Sequence, residues 1–128
     1  MFGVWAVESI WACDPSAIGR VRAWTLAQLE PLRTSANEQR VNDAVLCVSE
    51  LATNAFNAGS TSMNLALELH DHTLRVSLKD NADGWPTRRH PNKTDPRGRG
   101  LLLVAAMSRT WGTTPVPTGK DVWAALDW

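Results

Sequence analysis

The sequence has few of the residues that mark disulfide-rich or metal-binding proteins. It contains two cysteines, Cys13 and Cys47, which are far apart and form no CxxC pair. A disulfide framework and a zinc site are therefore not expected, and a reducing cytoplasm is the simplest location. The three histidines, His70, His72 and His90, are not spaced as ligands on one helix face, so we expect them in loops or at the surface.

The sequence also lacks an excess of either charge. Its 13 Lys and Arg residues balance 13 Asp and Glu residues, which gives a formal net charge of +0 at pH 7. Domains that bind nucleic acid usually carry a basic excess, so direct binding to DNA or RNA is not expected. A net charge of zero indicates either limited solubility of the isolated protein or a protein that works in a complex.

A long hydrophobic run is absent as well. A membrane-spanning helix needs about 18 or more consecutive apolar residues, and no segment comes near that length. The apolar N-terminus is interrupted by Glu8 and has no basic leader or cleavage site, so it predicts a strand and not a signal peptide. We therefore expect a cytoplasmic protein without a membrane partner, folded as one domain over residues 1–128.

Two segments in the first half have the apolar spacing of helices. Asp14 and Pro15 form a helix-start signal, and apolar residues then recur at helical spacing as far as Leu32. A second helix is predicted over residues 38–56. Its apolar face contains Val41, Ala44, Val45, Val48, Ala52, Ala55 and Phe56. Its opposite face contains Asp43, Cys47, Glu50, Asn54 and Asn57.

The apolar period then changes to two, which predicts strands. Residues 63–69 and 74–78 alternate apolar and polar side chains around a tight turn at Asp71 and His72, as in an antiparallel hairpin. Residues 2–11, 110–114 and 121–126 are predicted as further strands, residues 101–107 as a short buried helix, and residues 80–100 as a long loop. Helices grouped against one face of a mixed, mostly antiparallel sheet give a two-layer α/β sandwich, an α+β fold.

Three segments carry residue types suited to binding a nucleotide. Glu50 and Asn54 are four apart on the second helix, so both side chains point the same way and can hold a hydrated magnesium ion or orient a hydroxyl. A solvated helix face is the alternative interpretation. The acid Asp80 ends a predicted strand and is followed by Gly84, which suits contact with an exocyclic amine. An Asx turn is the alternative there.

The third segment, residues 98–104, is a glycine-rich turn that opens an apolar helix. Such a turn directs backbone N–H groups and the positive end of the helix at an anion. Phosphate binding and a plain helix start remain equally open on this segment alone. No Lys-[ST] pair follows Gly100, so the segment is not a Walker P-loop.

Taken together and in this order, the three segments resemble the N, G1 and G2 boxes of the GHKL superfamily. The N box ExxxN corresponds to residues 50–55, the G1 box DxGxG to residues 80–84, and the G2 box GxGLxxV to residues 98–104. The ATP-binding domain of that superfamily is the Bergerat fold. By size, the chain is most similar to free-standing anti-sigma-factor serine kinases, whose C-terminal segment also resembles residues 118–123.

The resemblance implies a role for each box residue. Asp80 would bond the adenine amino group, Gly84 would let the backbone approach the base, and Asn54 would ligate Mg²⁺ through its amide oxygen. Glu50 would be the general base that accepts a proton from a serine hydroxyl or water. The phosphates of ATP would be cradled by the segment Gly98, Arg99, Gly100 and Leu101, and residues 85–97 would form the ATP lid. The lid region supplies the cations Arg88, Arg89, Lys93, Arg97 and Arg99.

Three residues depart from the pattern of the superfamily. Ala82 stands at the first glycine of G1, which a negative φ would tolerate. Asp121 stands near a threonine that helps to fix the adenine-site water in many relatives, and Asn57 with Ala58 replaces a histidine found after the N box.

The function that follows is an Mg-ATP-dependent serine/threonine kinase that phosphorylates a small protein antagonist. Its implied partners are that antagonist and a sigma factor. The alternative is a binding module that senses ATP or ADP and sequesters a protein partner without chemistry. Many such kinases are homodimers, and the seven tryptophans suit a dimer because interfaces are enriched in Trp. The alternative is that several of them fill the core.

Overall fold

The order of helices and strands is the one that the sequence predicts. The computed structural model describes residues 5–82 and 96–128, with the backbone alone for residues 96–100. Its elements are β1 (Trp5–Ala12), α1 (Pro15–Leu29), a 3-10 turn (Glu30–Leu32), α2 (Glu38–Asn57), β2 (Ser62–His70), β3 (Thr73–Asp80), α3 (Pro96–Met107), β4 (Thr110–Val116) and β5 (Gly119–Asp127). Across these ranges, no helix combines the length and apolar character that crossing a membrane requires.

The five strands form one sheet in the order β1-β2-β3-β5-β4. All four pairings between described strands are antiparallel, so this sheet contains none of the parallel pairing that a mixed sheet would have. Successive side chains of a strand point to opposite faces of the sheet, and the face with the apolar side chains packs against the helices. The predicted two-layer α/β sandwich is confirmed.

Helix α1 begins where the sequence predicts because its first residues complete a cap. The carboxylate of Asp14 accepts hydrogen bonds from the Ala17 amide at 3.0 Å and from the Ser16 hydroxyl at 2.6 Å. These bonds, the one from Ser16 foremost, lower the pKa of Asp14. Pro15 occupies the first turn, where its missing N–H costs nothing. The cap therefore sets the start of the helix directly after β1.

Helix α2 is the central helix of the fold, and it is more deeply buried than its apolar pattern predicts. Cys47 and Asn54, predicted on its polar face, are 0% and 2% exposed. That prediction was wrong because α1 and α3 both pack against α2 while it also contacts β3 and β5, so several sides of the helix are covered. Val45 and Phe56, predicted on the apolar face, are only partly buried.

The β2–β3 hairpin confirms the period-two pattern. Its apolar side chains Met63, Leu65, Leu67, Leu74, Val76 and Leu78 are all buried against the helices. Asp71 adopts a φ of 53° in the two-residue turn between His70 and Thr73. Asp and Asn tolerate this left-handed conformation better than most residues, which explains the tight turn.

Helix α3 differs from its prediction in both its start and its burial. It begins at Pro96 and not after Gly100, so the glycine-rich segment is helical and the predicted turn was wrong. Pro is favoured at the first position of a helix, where its fixed φ suits the turn. Val104 is buried, whereas Leu102 is 70% exposed, so only one side of the helix packs on the core.

Candidate functional site

Asp80 ends β3 at a position where its carboxylate is enclosed by protein. The residue is 4% exposed, and the equally buried Lys120 lies directly opposite it on β5. The Lys120 ammonium nitrogen is 2.8 Å from Asp80 Oδ2 and 3.0 Å from Oδ1, and its hydrogen bond is directed at Oδ1. The Ala82 amide also donates to Oδ1 at 3.0 Å. Among the described residues, the Lys120 ammonium is the one partner of Asp80 Oδ2, so a lone pair of this buried oxygen is open to a further donor.

The backbone around Asp80 is held on both sides. Asn81 Oδ1 accepts hydrogen bonds from the backbone amides of Thr61 at 2.9 Å and Ser62 at 3.1 Å, which fixes the chain to the start of β2. On the other side, Gly119 packs so closely that an added Cβ would lie 2.8 Å from the Asp80 carbonyl carbon. The position of the carboxylate is therefore set by the neighbouring strands.

Ala82 fits its position without the glycine that the superfamily has there. Its side chain is 4% exposed. Among the non-glycine residues that the structure describes, Asp71 is the one with positive φ, so Ala82 is not in the left-handed region. A methyl group is therefore accepted here without backbone strain. The other G1 residue of the prediction, Gly84, lies outside the described residues.

Asn54 provides a second buried oxygen that is open to a partner. It lies near the C-terminal end of α2, and its Oδ1 accepts no hydrogen bond from the part of the chain that the structure describes. A buried carbonyl oxygen normally has a partner, and an unsatisfied one costs about 1–3 kcal/mol. An amide oxygen suits Mg²⁺, which prefers oxygen ligands and keeps several waters. The described residues contain no cluster of three or more acidic, His or Cys side chains that could hold a metal alone.

Glu50 lies one helical turn before Asn54 on the same side of α2. Its side chain is half-buried, and its charge acts on the neighbouring Cys47. Burial, together with the charges of Glu50 and Asp43, raises the pKa of the Cys47 thiol to about 12. A thiol with so high a pKa is not a nucleophile at neutral pH. The carboxylates of this group are those of Glu50 and Asp43.

Asp121 does not join Asp80, although the resemblance places it near the adenine site. It follows Lys120 on β5 and therefore lies on the opposite face of the sheet. There its Oδ2 is 3.8 Å from Arg75 Nη2, and the Arg75 guanidinium lies 5.3 Å from the centre of the Trp123 ring. The residue that faces Asp80 is Lys120, which sequence reasoning missed. Lys120 lies on the same face of β5 as the buried Val122, Ala124 and Leu126, because it is an even number of residues from each. This alternation in the sequence could have predicted that Lys120 points towards the helices.

The G2 residues are positioned by α3. Gly98, Arg99 and Gly100 are within the first turns of this helix, and Leu101 is partly buried against the core. The pKa of the Cys13 thiol, at the end of β1, is raised by burial and then by the charges of Asp80 and Asp14. The structure thus brings Asp80 together with Lys120 and Ala82, and Glu50 together with Asn54 on α2.

Comparison with known proteins agrees with this arrangement. The family model of the histidine kinase-like ATPase domain matches residues 12–126. The fold is similar to a crystal structure of the RsbU and RsbW domains of Rv1364c from Mycobacterium tuberculosis, with a TM-score of 0.70 and 18% identity. That match covers 94% of this chain and 32% of the other chain, so this chain spans about a third of that protein. No curated protein matches. The extent of the family match shows that the chain belongs to the histidine kinase-like ATPase domain family.

Proposed function

We propose that the protein binds Mg-ATP at the site between α2 and the sheet and phosphorylates a serine or threonine of a small protein antagonist. One observation carries the proposal. Two box residues each keep a buried oxygen that can take a further partner: among the described residues, Asn54 Oδ1 accepts no hydrogen bond, and Asp80 Oδ2 contacts only the Lys120 ammonium, at 2.8 Å. Family membership supplies the context of an ATPase fold.

The adenine end of the site would be formed by Asp80. Its Oδ1 accepts from the Ala82 amide and Lys120, whereas Oδ2 contacts Lys120 alone among the described residues and would use its remaining lone pair to accept the 6-amino group of adenine. A hydrogen bond to a charged acceptor in a buried site contributes about 1.5–3 kcal/mol. Because the acid is buried, water competes little for that bond. Gly84, which lies outside the described residues, remains the proposed point of close backbone approach.

The phosphate end would be formed by Asn54 and the start of α3. Asn54 Oδ1 would be one ligand of Mg²⁺, with water and the phosphates of ATP as the others. Magnesium would neutralise charge on the phosphates when it is bound. Gly98, Arg99, Gly100 and Leu101 remain the proposed phosphate-binding segment. Gly98 is in the first turn of α3, where backbone N–H groups without an intrahelical partner and the positive end of the helix favour an anion, and Arg99 adds a cation to the segment.

Glu50 would be the general base. Its carboxylate would accept the proton of the substrate hydroxyl while that oxygen attacks the γ-phosphorus. The bond between the γ-phosphorus and the bridging oxygen breaks, ADP leaves with that electron pair, and a phosphoserine or phosphothreonine is formed. The partner would be a protein, either the phosphorylated antagonist or a sigma factor that the domain binds. Assembly as a homodimer stays a prediction.

Calorimetry tests nucleotide binding. Wild-type protein is titrated with ADP and ATP in the presence of Mg²⁺, beside Asp80→Asn and Asp121→Asn. Asp121 is a matched control because it is a buried acid on the opposite face of the sheet. We expect wild type and Asp121→Asn to bind alike and Asp80→Asn to lose at least tenfold in affinity. Absence of wild-type binding at millimolar nucleotide would overturn the proposal.

Phosphotransfer is tested separately, with γ-³²P-labelled ATP added to an extract of the cells that make the protein. The readout is label on serine or threonine of a protein. Glu50→Gln should abolish labelling and keep ADP binding, whereas Asp43→Asn, on the same helix and bonded to Gln39, should change neither. Nucleotide binding without labelling that depends on Glu50 would identify a nucleotide-sensing module instead of a kinase.

A further inference from the structure

Lys120 is a buried ammonium group with unused hydrogen-bonding capacity. The residue is 2% exposed, and its nitrogen lies 3.0 Å from Asp80 Oδ1 and 2.8 Å from Asp80 Oδ2. A lysine ammonium carries three donors. A buried charge is stable only when it is paired and hydrogen-bonded, and little water reaches this one. Beyond its contacts with the two Asp80 oxygens, Lys120 therefore has one N–H group for an acceptor that enters the site.

Asp80 and Lys120 together present two complementary groups side by side. Asp80 Oδ2 contacts the Lys120 ammonium at 2.8 Å and no other described residue, so it keeps a lone pair for a further donor, and the Lys120 nitrogen beside it keeps a donor for an acceptor. Both side chains lie on the helix-facing side of the sheet, where they are direct partners on β3 and β5. The close packing of Gly119 on the Asp80 carbonyl keeps the two strands at this spacing.

This pair matches the edge of adenine, where the 6-amino donor stands next to the N1 acceptor. The geometry points to Lys120 as a specificity-determining residue, which donates a hydrogen bond to N1 while Asp80 Oδ2 accepts one from the 6-amino group. This role rests on the proposed nucleotide site and adds a second contact to it. A lysine that only neutralised Asp80 would make no contact with the base. Nucleotide affinity would then be independent of N1, whereas a lysine that donates to N1 makes the affinity depend on that atom.

The test compares ADP with 1-deaza-ADP, in which a C–H group replaces N1 and the 6-amino group is kept. Both are titrated into wild-type protein by calorimetry with Mg²⁺. We expect 1-deaza-ADP to bind about tenfold or more weakly, the loss typical of a hydrogen bond to a charged group. Equal affinities for the two nucleotides would overturn the role of Lys120 while the proposed function stands. Binding of neither nucleotide would overturn both proposals.

The variant Lys120→Met, titrated with the same two nucleotides, completes a cycle in which the protein donor and the nucleotide acceptor are removed singly and together. It should bind ADP more weakly than wild type and no longer prefer ADP over 1-deaza-ADP, because the donor to N1 is gone. A preference of wild-type size in this variant would contradict the proposal. If Lys120→Met folds poorly, the relative affinities of wild-type protein for ADP and 1-deaza-ADP still decide the proposal. Lys120→Arg, which keeps a charged donor, should retain part of the preference.

Discussion

Gly119 on β5 packs against the backbone of Asp80 on β3 with no room for a side chain. A Cβ at Gly119 would lie 2.8 Å from both the Asp80 carbonyl carbon and Asn81 Cα, which is closer than real Cβ atoms approach. Since the obstructing atoms are backbone, they cannot move aside as a flexible side chain would. The glycine thus determines how near β5 runs to the acid of the candidate site.

The substitution Gly119→Ala should therefore separate the ends of β3 and β5. We expect a loss of about 1–3 kcal/mol in the free energy of unfolding by urea, the usual cost of overpacking, together with weaker ADP binding. Gly19→Ala is the matched control, because Gly19 is an exposed position inside α1 with nothing within 4 Å of an added Cβ. The control should gain about 0.5–1 kcal/mol. Wild-type stability of Gly119→Ala would show that the strands are not held this closely.

The buried ion pair predicts strong coupling between its two members. Asp80→Ala alone leaves Lys120 as an uncompensated buried charge and should cost about 3–5 kcal/mol in the free energy of unfolding. The double variant Asp80→Ala, Lys120→Met removes both charges and should recover much of that loss. A double-mutant cycle by chemical denaturation measures the coupling. Additive effects of the two substitutions would contradict the burial of the pair.

Cys47 predicts a specific loss of stability in alkaline solution. Its pKa is raised from 9.0 to about 12 in the folded protein, so the unfolded chain releases the thiol proton first as pH rises. The contribution to stability is complete below about pH 9 and declines above it, by about 1.4 kcal/mol per pH unit, until the folded pKa is reached. Urea unfolding from pH 7 to 11 should show this decline relative to Cys47→Ala. If the free energy of unfolding depended on pH in the same way for wild type and Cys47→Ala, the raised pKa of Cys47 would be disproved.

Reactivity of the thiols offers an independent check of the same burial. Cys47 should be inert to a disulfide-exchange reagent at pH 8 in the folded protein, because the thiolate is the reacting form. Cys13, which is only partly buried, should react faster. Equal rates for the two thiols under native conditions would contradict the position of Cys47 in the core.

Ala82→Gly tests whether the missing glycine of the G1 box weakens the site. Ala82 does not have positive φ, so glycine brings no conformational relief and adds freedom to the unfolded chain. We expect the free energy of unfolding to fall by about 0.4–1 kcal/mol and ADP affinity to stay within a fewfold of wild type. Calorimetry and urea unfolding measure both quantities. A large gain in affinity would show that Ala82 obstructs the nucleotide.

Removal of magnesium tests the role of Asn54. With EDTA, wild-type protein should bind ADP about tenfold more weakly, because the charge of the phosphates is then less well compensated. Asn54→Ala should bind ADP equally with and without Mg²⁺. Its free energy of unfolding should fall little, since Asn54 Oδ1 has no hydrogen bond from a described residue to lose. An unchanged magnesium effect in the variant would exclude Asn54 as a ligand.

Local patterns account for most of the fold. The Asp14 cap set the start of α1, and alternation of apolar residues predicted both strands of the β2–β3 hairpin, because these signals depend on neighbours in the chain. The start of α3 was missed because two glycines suggested a turn where the chain is helical from Pro96. The burial of Cys47 and Asn54 was missed because packing by α1 and α3 on the sides of α2 is not visible in its own periodicity.

The sequence by itself determined the succession of elements and the residues of the boxes, among them Glu50, Asn54 and Asp80, since periodicity and residue spacing are properties of the chain. Only the tertiary structure decided that Lys120 and not Asp121 faces Asp80. The register between β3 and β5 places Lys120 opposite the acid, and strand alternation turns Asp121 to the other face. Register depends on contacts between residues 40 positions apart, which no local pattern specifies.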